Sequence, residues 1–394
     1  MIRLNPADAP HFDRSGRIGF HLVDTTMLYA PKSGGVKRYL AAKRAWLGRR
    51  RRDVTHSLVV PGERTRVKEQ GMVTVASPRL PFTDGYRCPT RPVKWSNVLQ
   101  ALQPDLIEAG DPYVPGHAAL DAGEALGVPV VGFTHTDAVA LAQLHLGDWA
   151  THPVLKAWST FCRRFDRVVA PSAFIRERLA DYGVDQVSVQ HLGVDLDLFH
   201  PMRADREALH ARLGLGAEAR LLMFAGRPSR EKNLEALVGA VQRLGAPYHL
   251  VLIGAGRDLC NEDRVICLDY ERDPVKLAET MASCDALVHA NANEPFGLVV
   301  LEALASGLPV VGPARGGIGE LIDEAVGQRA RRTDGVGMAD AIEALFARDV
   351  AAISLAARRR AVERHGWDAT FEGLMRIYGE LLSRADRPMM AMSA

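Results

Sequence analysis

Short apolar, β-branched runs alternate with longer segments of helical period along this chain, and that alternation limits its fold more than any other feature. A first series of runs lies at 18–23, 55–60, 73–76, 105–109, 129–134, 167–170 and 187–191. A second series lies at 221–225, 248–254, 264–268, 286–289 and 309–312. Strand-helix alternation of this kind specifies parallel sheets with helices on both faces and ligands at the carboxyl ends of the strands. The expected class is α/β, with two such sheets facing a central cleft. Between the series runs the turn-rich stretch Asp195-Leu196-Asp197-Leu198-Phe199-His200-Pro201, followed by a polar helix over 203–213. The expected organisation is therefore a first domain over 1–198, a second over 199–365, and a last helix with its tail over 366–394. A length of 394 residues suits two medium domains at roughly 150 residues each.

Composition removes several classes of function. Lys and Arg total 49 against 47 Asp and Glu, too even a balance for a protein that coats nucleic acid, so any basic site is local. Nowhere does the chain reach the roughly 18 uninterrupted apolar residues of a membrane span. Pro6, Asp8, Pro10 and Asp13 interrupt the region where an export signal needs a continuous apolar segment, so the cytoplasm is expected. Cys88, Cys162, Cys260, Cys267 and Cys284 are scattered and odd in number without a Cys-x-x-Cys pair; they read as reduced residues, mostly in the core.

The strongest motif is Asn293-Glu294-Pro295-Phe296-Gly297-Leu298-Val299-Val300-Leu301-Glu302, continuing to Gly307. Pro295 and Gly297 suit a loop entering a helix, so Glu294 precedes the helix and Glu302 lies inside it. The helix start aims backbone N–H groups of Phe296, Gly297 and Leu298 outward, where they can hold an anion. The bland alternative is a capped helix with surface glutamates, but a carboxylate between Leu301 and Ala303 is costly to bury without a partner. A second motif, Gly226-Arg227-Pro228-Ser229-Arg230-Glu231-Lys232, follows the first strand of the second series. Two cations, Arg227 and Lys232, can converge on one point there and suit an anionic group. Gly34 and Gly35 lie in a loop between the first strand and a helix, and let the backbone approach a phosphate or sugar.

These motifs resemble the family-4 retaining glycosyltransferases, whose hallmark is two glutamates separated by seven residues in an E-P-F-G-L-x-x-x-E setting; Glu294 and Glu302 match it. The resemblance implies the GT-B arrangement of two Rossmann-like domains, a nucleotide-diphosphate sugar as donor (a UDP- or GDP-sugar), no metal or other cofactor, and transfer of a hexose with retained configuration. It assigns the diphosphate to Arg227 and Lys232, with Gly34 and Gly35 lying over it and Gly316 and Gly317 lining it. Glu302 would accept from the ribose hydroxyls, while Glu294 and His135 would orient the sugar. Asp137 is a candidate for the acceptor. His191-Leu192-Gly193-Val194-Asp195 and Pro171-Ser172 match further family elements, and the last helix, 367–382, resembles one that packs back towards the first domain. The chain departs from the family after Val326, where Gly327-Gln328-Arg329-Ala330-Arg331-Arg332 replaces an apolar strand.

Other features are weighed against this reading. Asp195-Leu196-Asp197 spells a metal-binding D-x-D but sits at the domain junction and reads as structural. Gly254-Ala255-Gly256 lacks the third glycine of a dinucleotide fingerprint and no clear helix follows it, which argues against a nicotinamide cofactor. From Lys32 to Arg52 run Lys32, Lys37, Arg38, Lys43, Arg44, Arg49, Arg50, Arg51 and Arg52 without an acid. A helix over 36–47 puts Val36, Leu40 and Leu47 on its core face, and Lys43 breaks that face. The bland reading is a solvated basic surface; the functional one is a contact with anionic lipid headgroups or a phosphate-bearing acceptor, drawing on Lys37, Arg38, Lys43 and Arg44. Expected partners are the donor and a lipid-linked or saccharide acceptor, with peripheral contact to the inner membrane face and no nucleic acid. A sugar-nucleotide epimerase, a phosphorylase-like enzyme and a non-catalytic nucleotide-sugar-binding module are the alternatives.

Overall fold

A computed structural model of the chain describes residues 19–30, 34–81, 83, 85–254 and 257–391. Pro6, Asp8, Pro10, Asp13, Ile18, Lys32, Ala255 and Gly256, which enter the reading above, lie outside them. The chain divides into two compact units, one of residues 1–171, 175–190 and 371–394, the other of 172–174 and 191–370.

Strands β1 (Phe20–Thr25), β2 (Val54–Gly62), β3 (Arg66–Val67), β4 (Met72–Ala76), β5 (Leu106–Ala109), β6 (Val130–Phe133), β7 (Arg167–Ala170) and β8 (Val187–Val189) belong to the first unit. They form one sheet in the order β3-β4-β2-β1-β5-β6-β7-β8, parallel except for the short antiparallel pair β3–β4. Leu22, Val23, Leu58, Val59, Leu106, Ile107 and Val131 are buried on it, as expected of strands covered on both faces. In the second unit, β9 (Arg220–Ala225), β10 (Tyr248–Ile253), β11 (Val265–Leu268), β12 (Ala286–Val288), β13 (Val310–Pro313) and β14 (Gly327–Ala330) form a parallel sheet in the order β11-β10-β9-β12-β13-β14. Helix Leu234–Leu244 packs here because Leu234, Leu237, Val238 and Val241 recur at helical spacing and are all buried. They share a core with Leu222, Phe224, Leu250, Leu252, Met338 and Ile342.

Counted within each unit, the strand order is that of a doubly wound nucleotide-binding sheet, and it reverses between β9 and β12 in one and between β1 and β5 in the other. Ligands of such sheets sit at the carboxyl ends of the strands beside that reversal. Those ends are therefore where a site is expected.

Some expectations change. Residues 327–330, doubtful as a strand, form β14 at the sheet edge, paired in parallel with β13. Arg329 turns its Nε to the Ile322 carbonyl at 2.6 Å, which is how a polar segment occupies an edge. The last helix runs over Trp367–Ala391 and so continues through the segment read as a tail. Cys260 and Cys267 are joined in a disulfide, Cα to Cα 5.5 Å, against the reading of all five cysteines as reduced. Spacing gave no sign of it, because the pair is brought together by a turn and the start of edge strand β11. Cys162 and Cys284 are buried, as read.

Candidate active site

In the second unit the two loops at the sheet reversal carry the charged residues singled out above. After β9 the chain passes through Gly226 and the exposed Arg227 into a single 3-10 turn, Arg230–Lys232, and not directly into the next helix. Asn233 then adopts a left-handed φ of 52°, tied by its Nδ2 to the Thr333 carbonyl at 2.7 Å, and helix Leu234–Leu244 begins. After β12 comes the loop with Glu294. Lys232 Nζ lies 2.6 Å from Glu294 Oε2, each side chain about one-fifth exposed. Asn291 Nδ2 donates to the same oxygen at 2.8 Å. Burial pushes the Glu294 carboxyl up, but the Lys232 ammonium, with smaller help from His289 and Asn291, outweighs it and holds the group below the usual carboxylate range.

Gly297 caps the following helix, Leu298–Ala305, at φ 100°, a conformation that favours glycine. Phe296 is buried and stacks on His191, ring centroids 5.8 Å apart. Glu302 is buried inside the helix at 4% exposure. Behind the loop, Gly317 donates its N–H to the Glu294 carbonyl at 2.8 Å, and Ser172 Oγ donates to the Pro295 carbonyl at 2.7 Å. Glu320 accepts from the N–H of Ala173 at 3.0 Å. The loop is thus held from the rear by Ser172, Gly317 and the residues beside them.

In the first unit the corresponding edge carries Thr26, Gly110, Asp111 and His135. A Cβ placed on Gly110 would stand 3.4 Å from Thr26 and 3.5 Å from the His135 ring, so these residues meet closely there. His135 stacks on Phe133 with centroids 4.4 Å apart. Burial pushes its pKa down to about 3, and the Lys43 ammonium adds to this, so the ring is neutral at physiological pH. Asp111 accepts from Thr26 Oγ1 at 2.8 Å and from the N–H of Tyr113 at 3.0 Å, yet burial raises it to about 6. Gly34 precedes helix Gly35–Arg50, with nothing within 4 Å of where its Cβ would lie.

Residues 33–198 match the family described as Glycosyltransferase Family 4, and residues 219–348 match Glycosyl transferases group 1. A GDP-mannose-dependent alpha-mannosyltransferase of Corynebacterium glutamicum is 30% identical over 281 residues, covering 68% of this chain and 67% of the relative. A D-inositol 3-phosphate glycosyltransferase of Xylanimonas cellulosilytica is 34% identical over 306 residues, 69% of this chain and 71% of that one. The chain belongs to the group 1 glycosyltransferases. Its fold is GT-B: a sucrose-phosphate synthase from Thermosynechococcus elongatus superimposes with a TM-score of 0.77 at 20% identity, over 93% of this chain and all of that one.

On this glycosyltransferase the sequence-read residues separate into groups. Lys232 and Glu294 are in contact, and Arg227 is exposed on the same loop as Lys232. Gly316 and Gly317 are buried against the Glu294 loop: the Gly317 N–H donates to the Glu294 carbonyl, and a Cβ on Gly316 would stand 2.7 Å from the Ala292 carbonyl oxygen. Asp137, read as a candidate for the acceptor, has a structural role in its own helix. Its Oδ1 caps helix Ala138–Leu146 by accepting the Ala140 N–H at 3.0 Å, and its Oδ2 lies 3.0 Å from Arg178 Nε as an ion pair. Lys43 is wholly buried, 2.7 Å from Asp24 and 2.9 Å from Glu108, so it offers nothing to a membrane or acceptor. Lys37 lies over the Tyr29 ring, Arg44 is half-buried, and Arg38, Arg49, Arg50 and Arg52 are exposed. Asp195 accepts from the N–H groups of Asp197 and Leu198, a turn that occupies its carboxylate. Among the described residues no group of three or more His, Cys, Asp or Glu could hold a metal ion, and no helix is long and apolar enough to cross a membrane. Sequence reasoning passed over His289, Asn291 and Asp111; their signal was position alone, each following a strand at its carboxyl end.

Proposed function

We propose that this glycosyltransferase moves a hexose from a nucleotide-diphosphate sugar to a phosphate-bearing or lipid-linked acceptor, without a metal and with retained anomeric configuration. The observation that carries the reading is the Lys232–Glu294 contact at the reversal of a nucleotide-binding sheet, 2.6 Å, beside the Gly297-capped helix start. A cation and a carboxylate at one point suit a donor with a diphosphate at one end and hydroxyls at the other. Arg227, Lys232 and the helix-start amides of Phe296, Gly297 and Leu298 stabilise the departing diphosphate. Glu302 accepts from the ribose hydroxyls, Glu294 from the sugar, and Gly34 and Gly35 admit the phosphates closely. His135, neutral, contacts a sugar hydroxyl and not a phosphate. The anomeric carbon loses its bond to the diphosphate oxygen and gains one to the acceptor oxygen, whose proton passes to the departing phosphate.

The names of the relatives favour GDP-mannose as donor and a phosphorylated polyol as one acceptor class. The exposed Arg38, Arg49, Arg50 and Arg52 supply charge for an anionic surface. A thermal-shift panel of UDP-, GDP- and ADP-sugars tests the donor, since a bound ligand raises the melting temperature by mass action. GDP-mannose is expected to give the largest shift. No shift with any nucleotide sugar would sink the reading. Transfer is expected to survive EDTA; loss with EDTA and recovery with manganese would bring back a metal-dependent mechanism.

A further inference from the structure

Two side chains at the end of β12 have no part in the donor reading, His289 and Asn291. Both are buried, at 2% and 5% exposure. They form a chain that ends on Glu294. The backbone N–H of Asn291 donates to His289 Nδ1 at 3.2 Å, and Asn291 Nδ2 donates to Glu294 Oε2 at 2.8 Å. From the other side, Asn291 Oδ1 accepts the Asn293 N–H at 2.9 Å. That last bond fixes which way the amide points, since an amide nitrogen cannot accept from a backbone N–H.

His289 is similarly fixed. Its Nδ1 is an acceptor, so the neutral ring carries its proton on Nε2, and burial keeps it neutral by lowering its pKa to about 4. Its ring lies 5.5 Å from that of Phe224 on β9, which is fully buried. The two strands that flank the sheet reversal therefore hold the imidazole, the imidazole holds the Asn291 backbone, and the Asn291 amide holds the carboxylate.

Glu294 Oε2 thus has two donors of different kinds. Lys232 is a point charge on a flexible stem, about one-fifth exposed, and is the natural partner of an incoming diphosphate. Asn291 is buried and has no other carboxylate to serve among its described contacts. A glutamate held by Lys232 alone would lose its orientation when the ammonium turned to phosphate. We propose that Asn291, oriented by His289, is the positioning residue of Glu294 and keeps that carboxylate aimed at the transferred sugar while Lys232 engages the diphosphate. This rests on the assignment of Glu294 to the sugar and Lys232 to the diphosphate.

A double-mutant cycle on the full chain tests it, with Asn291→Ala, Glu294→Gln and the pair. GDP and GDP-mannose affinities are read by calorimetry, and turnover as release of GDP from GDP-mannose with water as acceptor. Asn291→Ala is expected to lower turnover about tenfold with GDP affinity within about twofold of the parent, and to add less than about twofold when Glu294 is already Gln. Equal losses in both backgrounds, or a loss of GDP affinity alongside turnover, would show that Asn291 merely supports the fold and would overturn the proposal. Asn291→Asp is the companion variant. It keeps the shape but sets a second carboxylate against Glu294, and is expected to lose more turnover than Asn291→Ala; parental turnover would overturn the proposal as well. If Glu294→Gln itself keeps full turnover, the assignment of Glu294 to the sugar fails and this one with it. A defective Glu294→Gln with an unaffected Asn291→Ala separates the two failures.

Discussion

Glu294 and Glu302 stand in different surroundings although they belong to one motif. The first sits on a partly exposed loop and pairs with Lys232 from the neighbouring loop; the second is buried in a helix. They are expected to fail differently. Glu302→Gln removes the charge that strengthens a ribose hydrogen bond and is expected to weaken nucleoside diphosphate and nucleotide sugar alike by roughly 1–2 kcal/mol. Glu294→Gln is expected to leave nucleoside diphosphate binding nearly intact and lower kcat. Calorimetric titration of both variants decides, and the reverse pattern would exchange the two roles. Lys43 makes a structural prediction. Its ammonium also donates to the Tyr378 hydroxyl at 2.9 Å, and Asp24 in turn meets His56 Nε2 at 2.7 Å. Burial raises the Asp24 carboxyl, but Lys43 and His56 outweigh it and leave it lowered, while Glu108 stays raised by burial despite Lys43. Lys43→Met leaves two buried carboxyls without their cation and is expected to destabilise the first unit by about 3–5 kcal/mol in urea unfolding. A change under about 1 kcal/mol would contradict this.

At the scale of elements, the Glu294 loop keeps its shape because short glycines stand behind it. A Cβ on Gly317 would lie 2.2 Å from the Pro295 carbonyl oxygen, with backbone that cannot yield as a side-chain tip can. Gly317→Ala is therefore expected to destabilise the second unit by about 1–3 kcal/mol, and to weaken GDP-mannose binding because the loop that carries Glu294 must shift. Melting temperature and titration together check it; an unchanged melting temperature would show that the loop is loosely held. Gly34 offers the contrast. With open space where its Cβ would be, Gly34→Ala is expected to leave the melting temperature unchanged, so any loss of donor affinity reports closeness to the ligand.

For the whole molecule, buried imidazoles set the response to acid. Burial holds His135 at about 3, and His289 and His365 at about 4, against an ordinary value near 6.5. As pH falls below about 6.5 the unfolded chain takes up these protons before the folded one, so stability is lost on acidification down to about 4. Asp111, raised by burial to about 6, acts in the opposite sense, because the folded state protonates first and gains stability as pH falls through that value. Glu108, also raised, acts as Asp111 does, and the three imidazoles outweigh these two carboxyls. The urea midpoint is expected to be lower at about pH 5 than at about pH 7, and Asp111→Asn is expected to steepen the decline. Equal midpoints would contradict the neutral state of the three histidines.

The alternation of runs was enough, by itself, to determine two parallel sheets, because a strand buried on both faces must be apolar throughout and its connecting helix must show a stripe. It also marked Glu294, Glu302, Arg227 and Lys232, since a charge next to a strand end or inside an apolar helix needs a reason. The anomaly of Lys43 on an apolar face was visible too; its partners were not, because Asp24, Glu108 and Tyr378 come from strands and a helix far apart in the chain. Tertiary structure alone decided that Gly316 and Gly317 stand behind the loop and that Cys260 meets Cys267. It also decided that Asn291 holds Glu294. Sequence spacing reports which face of its own element a residue occupies, whereas the roles of Lys43 and Gly317 depend on what a second element brings to within 3 Å.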